Sequence, residues 1–185
     1  FYDIMLADSD RLLGTVEQVL QASRTREKIR ALNRTDLDIR ELLGEIVATT
    51  LKRYHLAESA IRLSVPNEPV EISADREELR TVFSNLIDNA IKYSPDGPRL
   101  SIRVAERMRW TDIVVKDNGI GLSRADLKRI FKRFYRSHDK AAASAKGTGL
   151  GLPIVRAIVE RHGGKVTADS AGSGKGSTFL VRLPR

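Results

Sequence analysis

The apolar positions of this chain change period several times, and each change marks an element. At the start, Tyr2, Leu6, Ser9, Leu13, Val16, Leu20 and Ser23 step by four and three, with Met5, Leu12 and Val19 widening the stripe. That spacing predicts one long helix whose seam needs a partner helix. "RALNRTDLD", Arg30 to Asp38, is polar and turn-rich and reads as a linker. From Ile39 to about Leu56, Leu42, Leu43, Ile46 and Val47 return to helical spacing. "SAIRLSV" and "PVEIS" then alternate as two strands joined through Pro66, Asn67 and Glu68. Asp75 with Glu78 makes a capping-box-like start for a helix carrying Leu79, Val82, Phe83, Leu86, Ile87, Ala90 and Ile91, and "SPDGP" ends it.

The second half alternates again. "RLSIRVAER" and "WTDIVVKD" read as a hairpin, and "NGIGLSRADLKRIFKRF" as a glycine turn followed by a short helix. Ser137 to Lys146 is small, polar and without apolar period, which predicts a mobile loop. Pro153 fits a helix only in its first turn, so the next helix starts at about Leu150 to Leu152 and stops at Gly163 and Gly164. "KVTADSAG" and "GSTFLVRLP" close the chain as another hairpin, and there is no internal repeat.

Composition narrows the class. With 185 residues, 41% of them apolar, the chain has enough material for one main domain with a core and one extra element. It has no Cys, which excludes disulfides and thiolate metal sites and favours a reducing compartment. No apolar run reaches the length of a membrane span, and the start at Phe1 has neither an initiator Met nor a signal pattern, so the chain reads as a soluble piece of something larger. A net charge of +8 favours anionic partners: nucleotide phosphates, nucleic acid or an acidic protein surface. One basic run holds Arg24, Arg26, Lys28, Arg30 and Arg34. A second, Lys128, Arg129, Lys132, Arg133 and Arg136, lies between two glycine-rich motifs.

Four segments carry candidate chemistry. In "NLIDNAIKYS", Asn85, Asn89 and Lys92 fall at i, i+4 and i+7 on one helical stripe, where an amide oxygen can ligate Mg2+ and a lysine can meet phosphate. In "DNGIGL", Asp117 at a strand end aims a carboxylate at a donor such as an adenine amino group, while the glycines admit a ligand to the backbone. "KGTGLGLPIV" places Gly147, Gly149 and Gly151 at alternate positions before a helix, presenting several N–H groups to one anion. Its spacing fits neither a P-loop nor a dinucleotide fingerprint. "GSGKGSTF" is the weakest, since glycine and serine before a strand usually make a hairpin. Taken singly, each segment also has an ordinary structural reading: polar residues on an exposed helix face, an Asp-Asn-Gly turn, a hairpin.

In combination and in this order, the segments resemble the sensor histidine kinases of two-component systems, whose catalytic domain has the Bergerat-type ATP-binding fold. "NLIDNAIKYS" looks like that family's asparagine box, "DNGIGL" its first glycine box, "FKRFYR" its phenylalanine box, "GTGLGL" its second glycine box and "GSGKGSTF" its last glycine segment. The opening helix resembles the second helix of the family's dimerisation hairpin. The resemblance implies a two-layer α/β sandwich, a mixed sheet of about five strands covered on one face by helices, preceded by one long helix. Residues 1–33 would then be the dimerisation helix plus linker, and residues 34–185 the catalytic domain.

The resemblance also implies roles. Asn89 would ligate Mg2+, with Asn85 beside the phosphates and Lys92 and Tyr93 reaching the nucleotide. Asp117 would bind the adenine amino group, with Gly119 and Gly121 shaping that wall and Thr178 near the base. Phe131, Phe134 and Arg136 would belong to a lid, Arg136 with a catalytic part. The stretch Lys146, Gly147, Thr148, Gly149, Leu150 and Gly151 would form the lid hinge and phosphate cradle. In the gyrase, chaperone and mismatch-repair relatives of this fold, a water-activating Glu stands where Asn85 stands here, so poor ATP hydrolysis is expected.

The nucleophile would instead be a histidine, but neither His55, His138 nor His162 stands in the family's phosphoacceptor context. His162 reads as a helix C-terminal residue favoured by the dipole and His55 as a surface residue. The expected partners are the phosphoacceptor helix of the same or a partner protomer and a response regulator, in a homodimer, with no nucleic acid. The expected location is the cytoplasmic side of a membrane-anchored sensor. Two alternatives stay open: a serine kinase or ATPase of the same fold, and a non-enzymatic module that binds DNA or serves as a nucleotide-binding scaffold.

Overall fold

The computed structural model describes residues 31–137 and 148–185. The expected opening helix, His138, Lys146, Gly147 and nearly all of the expected mobile loop lie outside the described residues. The chain divides into two compact units, Phe1–Leu32 and Asn33–Arg185, and the second holds every described helix and strand.

Its elements begin with β1 (Thr35–Asp38), α1 (Ile39–Arg53), a 3-10 turn (Glu58–Ala60), β2 (Ile61–Ser64), β3 (Glu71–Ala74), α2 (Arg76–Lys92), β4 (Leu100–Glu106) and β5 (Trp110–Lys116). They continue with α3 (Arg124–Leu127), α4 (Gly151–Arg161), β6 (Lys165–Asp169) and β7 (Thr178–Pro184). The main sheet runs in the order β2-β4-β5-β7-β6. The β2–β4 pair is parallel and the rest antiparallel. This is the mixed five-stranded α/β fold that the family resemblance implies.

One face of the sheet is apolar. Ile102, Val104, Ile113, Val115, Val181 and Leu183 are buried, while Arg103, Lys116 and Arg182, out of phase with them, are exposed. Period-two alternation is what a sheet covered on one side requires. The covering layer is α1, which buries Ile39, Leu42, Leu43 and Ile46, and α2, which buries Leu79, Val82, Phe83, Leu86 and Ile87. Beside α2 lies α4, which buries Val155 and Val159.

Three expectations need correction. The segment read as a linker contains β1, which pairs antiparallel with β3 as a second, two-stranded sheet. Only Leu37 of its residues is buried, so it shows no alternation to read. The strands β2 and β3 are therefore not partners of each other: β2 joins the main sheet beside β4. Asp75 caps α2 by accepting from the N–H groups of Glu77 and Glu78, but Glu78 does not reach back to complete a box. Its carboxylate meets Arg161 at 2.9 Å instead.

His162 caps the C-terminal end of α4, as its place before Gly163 and Gly164 predicts, but it is buried and hydrogen-bonded rather than only facing the dipole. It is 2% exposed; its Nε2 accepts from the Asp75 N–H at 3.1 Å and its Nδ1 lies 2.8 Å from the Ile158 carbonyl. Because Asp75 must donate, the ring proton sits on Nδ1 and donates to Ile158. The ring thus ties the end of α4 to the start of α2.

Candidate functional site

Asp117 follows the last residue of β5, and Ser177 precedes the first of β7. The ladder between these strands continues one step beyond them: the Asp117 N–H donates to the Ser177 carbonyl at 2.9 Å. The return bond goes to the side chain, with the Ser177 N–H donating to Asp117 Oδ1 at 3.0 Å. The Gly119 N–H donates to the same oxygen at 2.8 Å. Asp117 is 7% exposed, and burial pushes its carboxyl above the ordinary range, the two N–H donors offsetting part of that rise. With both donors on Oδ1, Oδ2 keeps its acceptor capacity for a ligand.

That carboxylate lines a pocket with a cavity volume of about 90 Å3 that opens to solvent. Asn89 and Tyr93 of α2 form one wall, Ile120 and Gly121 another, and Tyr135, Arg136 and Ser137 a third. Leu152 and Phe179 add apolar surface. Tyr93 closes the end of α2, and its carbonyl accepts the Ile120 N–H at 2.9 Å. A Cβ at Gly119 would collide with that carbonyl, so this wall approaches α2 only through glycine.

Asn85 and Asn89 share a face with the start of α4. The Asn85 amide donates to the Thr81 carbonyl at 2.8 Å, which turns its Oδ1 toward Gly151. A Cβ on Gly151 would stand 2.8 Å from that oxygen. Gly149 has φ +73, and its carbonyl accepts the Phe134 N–H at 3.2 Å, joining this loop to the segment around Phe134. Leu150 is buried and Thr148 exposed.

The last glycine segment packs against "DNGIGL". The Gly174 N–H donates to the Ile120 carbonyl at 2.6 Å and the Gly176 N–H to the Gly119 carbonyl at 3.0 Å. The Ser170 hydroxyl accepts the Leu122 N–H and donates to the Gly176 carbonyl. Asn118 turns away and braces the end of the preceding turn, its amide bonding Arg99 and Gly97.

Of the expected site residues, Asn89, Tyr93, Asp117, Gly121 and Arg136 line the pocket, while Gly119 packs on the Tyr93 carbonyl, Asn85 faces Gly151, and Gly149 packs against Phe134, all outside the lining. Lys92 is exposed at the end of α2 and does not line the pocket, and Thr178 lies one residue inside β7, where Ser177 lines the pocket in its place. Phe131 packs on the core, while Phe134 is 54% exposed at φ +60. Sequence reasoning missed Ser177, Tyr135, Leu152 and Phe179. Ser177 was within reach only through the β5–β7 register, which no local pattern contains.

Residues 74–185 match the family described as histidine kinase-, DNA gyrase B- and HSP90-like ATPases. The sensor-like histidine kinase SenX3 of Mycobacterium bovis is 33% identical over 184 residues, which is 100% of this chain and 44% of that protein. The sensor histidine kinase WalK of Bacillus subtilis is 35% identical over 181 residues, 96% of this chain and 29% of that one. The chain thus spans less than half the length of these curated relatives. Among solved structures, full-length ShkA in complex with AMPPNP superposes with a TM-score of 0.73 and 26% identity, over 95% of this chain and 36% of that one. The nucleotide-free catalytic domain of the histidine kinase ThkA gives a TM-score of 0.69 and 25% identity, over 82% of this chain and 97% of that one.

Proposed function

The chain belongs to the family of histidine kinase-, DNA gyrase B- and HSP90-like ATPases, and from that premise we propose that it is the catalytic, ATP-binding part of a two-component sensor histidine kinase. The observation that carries this reading is Asp117: a buried carboxylate with one oxygen held by two N–H donors and the other available, in a pocket lined also by Asn89 of α2, Gly121 of the loop after β5 and Leu152 at the start of α4. Oδ2 accepts from the adenine amino group, and the phosphates extend toward Asn85, Asn89 and Gly151. The AMPPNP complex of ShkA supports a nucleotide in a fold of this kind.

Magnesium fits the donor set in one way. Among the described residues no cluster of three acidic or histidine side chains stands ready for a metal, but Mg2+ in nucleotide sites takes one or two protein oxygens together with phosphate and water. Asn89, which lines the pocket wall, would supply such an oxygen. The bound ion would neutralise charge on the phosphates.

Asn85, an amide, takes no proton from water, so the γ-phosphoryl group is held for another nucleophile. That nucleophile is a histidine of the dimerisation domain: its neutral nitrogen bonds to the γ-phosphorus, the bond to the bridging oxygen breaks, and ADP leaves. Onward transfer goes to a response-regulator aspartate. Residues 1–33 are the second dimerisation helix and linker, residues 34–185 the catalytic domain, and the full protein is a homodimeric sensor with this part in the cytoplasm. Incubation with Mg-ATP and a separately purified phosphoacceptor hairpin should yield acid-labile, alkali-stable phosphohistidine. Acid-stable phosphoserine in its place would move the reading to a serine kinase of the same fold.

A further inference from the structure

Asp126 stands outside the pocket, yet it holds three residues that line it. It is 8% exposed and lies in the short helix α3. Part of its bonding is local: with Ser123 it forms a complete capping box, the Ser123 hydroxyl donating to Oδ2 at 2.6 Å. The rest is not local. The Tyr135 hydroxyl donates to Oδ1 at 2.7 Å and the Ser137 hydroxyl to Oδ2 at 3.2 Å, from nine and eleven residues further on. Its backbone carbonyl also accepts the Ile130 N–H at 2.8 Å. Ile130, Tyr135 and Ser137 all line the pocket.

A helix cap needs none of the distant bonds. The Tyr135 ring is fixed at both ends, its hydroxyl on Asp126 and its face 4.8 Å from the Arg129 guanidinium. A phenol held this way stays in the pocket wall and has little rotamer freedom left to lose when a ligand arrives. Burial would raise the Asp126 carboxyl, but the hydroxyls of Ser123 and Tyr135, the Ser123 amide and the Ser137 hydroxyl outweigh it and hold the group below the ordinary range. The carboxylate is therefore the form that the surrounding donors select.

We propose that Asp126 is a positioning residue for the nucleotide, fixing the pocket wall formed by Tyr135 and Ser137 through their hydroxyls without touching the ligand. This rests on the pocket being a nucleotide site. Calorimetric titration of ADP into the full chain, with Asp126→Ala, Asp126→Asn, Tyr135→Phe and the double variant Asp126→Ala/Tyr135→Phe, tests it. Asp126→Ala and Tyr135→Phe should each weaken binding about 5- to 10-fold, and the double variant should be no weaker than the worse single one, because both remove the same link. Asp126→Asn, which keeps one acceptor oxygen for Tyr135, should recover part of the loss.

Asp112→Asn provides the comparison a merely structural role requires. Asp112 is likewise buried, bonded by Arg182 at 2.7 and 2.9 Å, but it pairs across β5 and β7 outside the pocket. It should lower the thermal midpoint and leave ADP affinity unchanged. Unchanged affinity in Tyr135→Phe would overturn the proposal even if Asp126→Ala fails to fold, since that change deletes one oxygen atom. Strictly additive losses, or an equal loss in Asp112→Asn, would overturn it too. A parent chain that binds no ADP removes the nucleotide reading of the pocket, and this inference with it.

Discussion

At Asp117 the structure separates what the fold wants from what the ligand wants. The buried carboxylate carries a desolvation cost, while an amide at the same place would still accept the Gly119 and Ser177 N–H groups through Oδ1. Asp117→Asn should therefore not lower the thermal midpoint. It would, however, turn an NH2 donor toward the adenine amino group, and ATP affinity should fall at least about 10-fold, the cost of facing two donors. Acid has the same effect on the wild type. Burial raises the Asp117 carboxyl, so it takes up a proton on Oδ2 at a higher pH than an ordinary aspartate does, and ATP affinity should decline as pH falls through that raised value. Linkage gives stability the opposite sign: native protonation at a raised pKa adds stability as pH falls. Parallel titrations of affinity and melting against pH check both directions. Gly151 opens α4, and a Cβ there would meet Asn85 Oδ1; Gly151→Ala should keep the fold and weaken Mg-ATP binding.

Among the elements, α1 shows where sequence and structure disagree at low cost. It ends in a Schellman motif, with the Leu56 N–H on the Leu51 carbonyl and the His55 N–H on the Lys52 carbonyl, which places His55 at φ +50. Glycine suits that conformation, so His55→Gly should stabilise the domain by about 0.5–1 kcal/mol. Gly44 lies inside the same helix with nothing within 4 Å of an added Cβ, and Gly44→Ala should add about 1 kcal/mol. Urea midpoints read both. The helices α1, α2 and α4 and the two hairpins of the main sheet were legible because each shows its own period and its own breaker: "SPDGP" after α2, Gly163 and Gly164 after α4. The strand β1 was not legible, since four residues with one buried side chain make no pattern. Partnering was equally hidden: β2 alternates the same way whether it pairs with β3 or with β4, and only the long-range fold decides.

For the whole molecule, the site is a meeting of segments far apart in sequence. The glycine-rich and asparagine motifs were legible as chemistry, and the resemblance they carry supplied their association. The second tier of residues was not: Ser177, Tyr135 and Asp126 act through non-local bonds that leave no local trace. Acid stability is also a whole-molecule property. Arg40 holds Asp38 and Arg182 holds Asp112 below the ordinary range, and the bonds around Asp126 hold it there as well. Each contributes stability that is complete well above 3.8 and is lost as pH falls through the lower native values. Among the described residues, Glu45, held down by Arg80 and Arg76, joins them; four depressed carboxyls against one raised one predict net acid destabilisation below about pH 4, which thermal melts across that range check. The most direct test of the central claim is calorimetric titration of ATP, with and without Mg2+, into the chain and its Asn89→Ala and Asp117→Asn variants. Binding that tightens with Mg2+, loses that dependence in Asn89→Ala and largely disappears in Asp117→Asn is the expected result. An absence of ATP binding by the parent chain, or a Mg2+ dependence that survives Asn89→Ala, would contradict it.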